Sequence, residues 1–203
     1  MVDFYRPDGT PVMATIADHR QLNDAAFHAG TNSGSRYEWV DEPNRLHFYV
    51  IDSERDENGV LAYTVAVRSL DGDGPHTRGA ALGRPSKQGR RPGFVATCSF
   101  PLRNTGSVAP IDAAHPEDVS AFVGSDVYRL SASADGKGWS AELPNALAAV
   151  RAGSSAEVPV NAVREPGSAP RATITLTATS ESDASARATS QCDVHVKDTT
   201  PAA

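Results

Sequence analysis

Aromatic side chains are scarce, at 6% of the 203 residues, and cysteine, methionine and tryptophan occur twice each. So few rings argue against a large enzyme core and favour thin β-sheet layers built from Ala, Ser, Thr and Val. Long apolar runs are missing too. Stretches such as Ala146 to Val150 fall far short of the roughly 20 residues that cross a bilayer, so no membrane insertion is expected. Positive charge is in deficit, with 19 Lys and Arg against 25 Asp and Glu and a net charge of −6. The chain as a whole is therefore not an electrostatic nucleic-acid binder. Met1 to Tyr5 is acidic and runs straight into Arg6-Pro7-Asp8-Gly9, a turn rather than a secretory leader. The start is expected to be internal to a longer precursor, which makes the chain extracellular; with Met1 as the true start it would be cytoplasmic.

Catalytic motifs are equally thin. A zinc peptidase helix needs two histidines one turn apart around a glutamate base, HExxH, and no such string occurs. A serine hydrolase wants its nucleophile on a strained elbow, G-x-S-x-G. The nearest run, Gly30-Thr31-Asn32-Ser33-Gly34, has other spacing and no strand before it. Glycines cluster away from any strand-to-helix turn, so a phosphate cradle is not expected. Paired carboxylates such as Asp41-Glu42 and Glu117-Asp118 lie in polar segments containing proline and read as solvated loops.

Charge divides what is present into three parts. Residues 1–70 hold 11 acidic and 6 basic side chains, 71–93 hold 2 and 5, and 94–203 hold 12 and 8. The middle part, with six glycines and three prolines, shows no apolar periodicity and reads as a flexible basic linker. Its Arg78, Arg84, Lys87, Arg90 and Arg91 are expected to be solvated charges. In the first part, Leu46 to Ile51 and Val60 to Val67 are rich in β-formers and flank the turn signal Asn58-Gly59, which predicts a hairpin. Phe48 and Val50 would face Tyr63, Val65 and Val67. Asp18 to Ala29 reads as a short helix capped by Asp18 and ended by Gly30. Such a β-rich segment is marginal alone and fits the edge of a larger domain.

The third part alternates more clearly. Phe94 to Leu102, Val127 to Ala132, Trp139 to Leu143, Ala156 to Val163, Ala172 to Thr179 and Ala186 to Val196 read as short strands between turn residues. Pro101 and Pro159 fall inside two of them and are expected at edges or bulges. The pattern predicts an all-β sandwich over 94–198, followed by a tail at 199–203.

RNTG at 103–106, YRLSAS at 128–133, GWSAELP at 138–144, RAGSSAEVPVNAV at 151–163 and ATITLTATSESD at 172–183 together resemble an immunoglobulin-like accessory module. The type is NEW3, or alpha-galactosidase-associated, appended to secreted bacterial hydrolases. Residues 107–124 would be an insertion. GTNSGSRYEW at 30–39 and RLHFYVIDSERDENGVLAYTVAVRS at 45–69 loosely resemble the region after the catalytic domain of actinobacterial metalloproteases like immune inhibitor A. The resemblance implies an immunoglobulin-like fold without catalytic residues.

Cys98 and Cys192 lie in the first and last strands of that sandwich, which commonly run close together. A bridge closing about 95 residues would contribute about 4–5 kcal/mol in the chain-entropy model and needs an oxidising compartment. Two buried free thiols are the alternative. Trp139 is expected in the core rather than as a sugar-stacking platform. Of six histidines, His19, His28 and His47 are the ones that distant elements would have to gather for a zinc site. Asp52, Glu54, Asp56 and Asn58 alternate like the first half of a calcium loop, but Glu57 stands where glycine is needed and Tyr63 where the bidentate carboxylate belongs. No cofactor is expected, a structural calcium being the secondary reading.

The leading expectation is a monomeric, non-catalytic accessory region of a secreted protease or glycosidase, a spacer or binding module. Its partner would be the catalytic domain of a larger polypeptide or a cell-envelope polysaccharide, bound through loops such as Asp135 to Gly138. The runner-up is a stand-alone metal-dependent hydrolase with its site around His19, His28, His47 and Asp52.

Overall fold

The computed structural model describes residues 4–5, 11–12, 37–72, 76–88, 96–109 and 124–196, and among them every regular element is a strand. The chain divides into two compact units, Met1–Gly72 and Asp73–Ala203. The helix expected over Asp18 to Ala29, most of the 107–124 insertion and the 199–203 tail lie outside the described residues.

In the first unit, β1 (Phe4–Tyr5) pairs with β2 (Pro11–Val12). A separate antiparallel sheet has the order β3 (Glu38–Asp41), β4 (Leu46–Arg55), β5 (Leu61–Ser69). The hairpin expected from sequence is there, with Phe48 opposite Val67 and Val50 opposite Val65. Its turn differs in detail. The Gly59 N–H donates to the Asp56 carbonyl at 3.0 Å, and of the two turn residues only Gly59 takes a positive φ, of 83°. A type I turn followed by a left-handed glycine closes this hairpin in place of the two-residue primed turn. The Asp56 carboxylate accepts the Asn58 and Val60 N–H groups, which fixes the corner. A bulge between Val50 and Asp52 shifts the register.

The second unit is two facing antiparallel sheets. One has the order β10 (Trp139–Glu142), β12 (Ser155–Arg164), β8 (Ala96–Asn104), β6 (Ala80–Leu82), and β7 (Ser86–Gln88) also pairs with β8. The other runs β11 (Leu147–Arg151), β9 (Ser125–Asp135), β13 (Arg171–Ser180), β14 (Arg187–His195). Strict alternation along β13 sends Ala172, Ile174, Leu176 and Ala178 inward and Thr173, Thr175, Thr177 and Thr179 outward. Phe100 and Leu102 of β8, Val158 and Val160 of β12 and Tyr128 and Leu130 of β9 complete the core. Strand β11 escaped the sequence reading because Ala146 to Val150 has no polar alternation.

Within the span read as a linker, the described residues 76–88 are not free chain. Ala80, Ala81 and Leu82 pair with Asn104, Arg103 and Leu102, and Ser86 to Gln88 pair with Ser99 to Thr97. Arg78, expected in solvent, is half-buried, its side chain 12% exposed, and stands 4.0 Å from the buried Asp126 carboxylate. The Gly79 carbonyl accepts the Tyr128 hydroxyl at 2.7 Å. A Cβ at Gly79 would lie 2.4 Å from Thr105 Oγ1, so glycine serves close packing here rather than flexibility. Composition misleads because strands of three residues are too short to show a period.

The prolines follow the edge rule locally. The Pro101 carbonyl accepts the Gly83 N–H at 2.9 Å, so the missing proline N–H faces the break between β6 and β7. Pro159 lies beyond Asn161, the last residue of β12 that β10 pairs.

Candidate functional site

On one face of the small sheet, the register sets Glu38 opposite Tyr49 and His47 opposite Arg68. Glu38, His47 and Tyr49 are all buried. His47 Nε2 lies 2.8 Å from Glu38 Oε2, and His47 Nδ1 lies 2.8 Å from the Tyr49 hydroxyl, which also accepts Arg68 Nε–H at 2.7 Å. One proton assignment satisfies these bonds: Tyr49 donates to Nδ1, and a neutral imidazole donates from Nε2 to Glu38. The His47 ring also stacks on Tyr49, with centroids 4.0 Å apart. This chain of bonds locks four side chains across three strands. Sequence reasoning singled out His47 but missed Glu38, Tyr49 and Arg68. The signal available was the pair of polar residues at alternating positions of β4 and β3.

Both nitrogens of His47 are thus engaged, which opposes its use as an open metal ligand. Asp52 sits beyond the bulge, exposed, and its carboxylate accepts the Ser53 N–H. The two are not brought together, and His19 and His28 lie outside the described residues. Asp52 and Glu54 belong to the extended part of β4, while the Asp56 carboxylate is spent on its own turn. Alternate positions on one side of a strand stand about 7 Å apart, so these oxygens do not wrap one cation as a calcium loop does.

In the sandwich the cysteine expectation holds. Cys98 of β8 and Cys192 of β14 are disulfide-bonded across the two sheets, with Cα atoms 6.4 Å apart. Trp139 is buried in the core, its indole N–H donates to the Ala169 carbonyl at 2.7 Å, and the Arg164 guanidinium lies 5.8 Å from its ring centroid. It is not a platform for sugar stacking. A shallow cleft of about 550 Å³ opens beside Asp135, lined also by Arg171, Thr173, Asp193 and His195. It adjoins the Asp135 to Gly138 loop singled out from sequence, and Thr173 donates to Asp193 there at 2.8 Å. Charges of both signs and no ring larger than an imidazole suit a small polar group.

Tyr128 and Asp183 depart from ordinary titration. Burial, and then the Asp126 carboxylate nearby, push the Tyr128 phenol well above its usual range, partly offset by Arg78. Hydrogen bonds from the Ser185 side chain and backbone hold the exposed Asp183 below the usual carboxylate value.

Residues 81–197 match the family described as Peptidase M6-like domain, and residues 1–70 match one described as a middle domain. The chain belongs to the Peptidase M6-like domain family. This M6-like chain is 50% identical over 200 residues to an Arthroderma benhamiae protein named "Putative secreted metallopeptidase". The match covers 96% of the chain but 29% of that relative, so the M6-like chain spans less than a third of its length. The relative is fungal, and the actinobacterial source implied by the sequence resemblance finds no support. Among solved structures, a FixG-related protein from Vibrio parahaemolyticus matches with a TM-score of 0.40 and 14% identity, over 58% of this chain and 96% of its own. That likeness is too distant for its properties to transfer.

Proposed function

We propose that the chain is a non-catalytic accessory region of a secreted metallopeptidase, which spaces or docks the catalytic portion of a longer polypeptide. One observation carries the reading: matched along 96% of its length, the chain spans 29% of a metallopeptidase relative and contains no HExxH string. The relative's secreted character and the inter-sheet disulfide both support an extracellular setting. Two packed antiparallel sheets joined by that bridge support an immunoglobulin-like module of the NEW3 type. The cleft beside Asp135 is the place on the sandwich where a polar ligand of the cell envelope would sit.

The test is the mass, location and activity of the native product. An antibody to the chain should detect a secreted polypeptide well above 21.4 kDa, and the purified chain supplied with zinc should leave peptide substrates intact. Chelator-sensitive proteolysis by the purified chain itself would overturn the reading.

A further inference from the structure

Among the described residues six large hydrophobic side chains are exposed, and five of them fall at 60–67: Val60, Leu61, Tyr63, Val65 and Val67. Val108 is the sixth. Four of the five, from Leu61 to Val67, alternate along β5 and so project to one side of the sheet. Direct cross-strand pairing sets Val67 beside Phe48 and Val65 beside Val50, and Phe48 lies beside Trp39 with ring centroids 5.7 Å apart. Tyr63, Val65 and Val67 are 60%, 53% and 51% exposed. In the described part of the sheet β5 is also an edge, nine residues long, without proline and with Arg68 as its only charge. Natural sheets blunt such edges with charge, proline or a cover, and contiguous apolar surface of this kind marks a contact.

We infer that this apolar face, centred on Tyr63, Val65 and Val67, is the docking surface for the catalytic portion of the longer polypeptide. The inference rests on the accessory reading above. The length of chain beyond these residues identifies the occupant: a relative that matches almost the whole chain has more than two thirds of its own length outside the match. The family matched by residues 1–70 is moreover described as a middle domain, one with polypeptide on either side. A covalently attached partner needs less contact area than a free one, because the linkage holds it at high effective concentration. The opposite face, with its Glu38–His47–Tyr49 chain of hydrogen bonds, does not offer a comparable apolar surface.

Hydroxyl-radical footprinting of the 203-residue chain and of the native longer polypeptide tests this directly. Tyr63 and its neighbours should be labelled readily in the chain and about fivefold more slowly in the longer polypeptide, matching a fall from half-exposed to core-like accessibility. V65K/V67K introduced into the longer polypeptide should restore fast labelling of Tyr63 and lower its melting temperature. The same pair in the 203-residue chain should leave its melting temperature unchanged. Equal labelling in both proteins overturns the docking inference while leaving the accessory reading intact. Protection that depends on protein concentration in both would assign the face to a second copy of the chain instead. A native product of 21.4 kDa would overturn the accessory reading and this inference with it.

Discussion

The two sheets of the sandwich and the small sheet at 37–72 spend their side chains in opposite ways. The sandwich turns Ile174, Leu176, Val160 and Phe100 inward and shows the Thr173–Thr179 row to solvent. In the small sheet the buried side chains include Glu38, His47 and Tyr49, while Tyr63, Val65 and Val67 face out. A sheet needs a second layer to bury an apolar face. The sandwich contains both of its layers within this chain, and its core is accordingly complete. The exposed valines of the small sheet are what a layer looks like before its partner is in place.

The largest test of this contrast is the bridge that ties the sandwich layers together. Reduction, or Cys98→Ser with Cys192→Ser, frees a separation of 94 residues and should cost about 4–5 kcal/mol in denaturant unfolding followed at Trp139. Footprinting of Tyr63 should not change. If Tyr63 labelling does change, the bridge supports more than the sandwich it closes.

In the small sheet the hydrogen-bonded chain takes the place of an apolar core. His47→Ala removes the donor to Glu38 and the acceptor of Tyr49, and should cost about 2–3 kcal/mol in the local opening of β4 and β5. Amide exchange at Val50 and Ala66 reads this loss, and exchange in β13 should stay as it was.

Matched valines sharpen the comparison further. Val160→Thr places a hydroxyl in the sandwich core and should lower stability by about 1–3 kcal/mol. Val65→Thr on the outer face should fall within about 0.5 kcal/mol of the parent. Similar penalties at both sites, measured by thermal unfolding of the same chain, would mean that the outer face is already covered.

The smallest effect is confined to alkaline pH. Tyr128 holds its proton more tightly when folded than when unfolded, where its value is about 10. Its contribution is therefore fully present below pH 10 and declines as pH rises from there toward the folded value. Tyr128→Phe should remove that decline and cost about 1 kcal/mol at neutral pH through the lost bond to the Gly79 carbonyl. Unfolding curves between pH 8 and about 11 would show the difference in slope.

Legibility in the sequence followed the length of the elements. Strands of nine or ten residues with strict alternation, such as β13, could be read directly, and so could the hairpin around Asn58-Gly59. Three-residue strands left no period, and in 71–93 the glycines and arginines mimicked a linker although Arg78 and Gly79 are packed against Asp126 and Tyr128. Alternating acids at 52–58 mimicked a cation loop, yet the strand that holds Asp52 and Glu54 keeps their oxygens apart.

Composition and periodicity by themselves determined the all-β class, the hairpin, the cysteine pair as bridge candidates and the absence of an HExxH motif within these residues, because each is a property of residues near in sequence or of simple counts. Only the tertiary structure decided that Glu38 meets His47, that β6 and β7 close the edge of β8, and which face of the small sheet stays bare. Those outcomes depend on register between strands, and register is set by what the far side of each strand packs against.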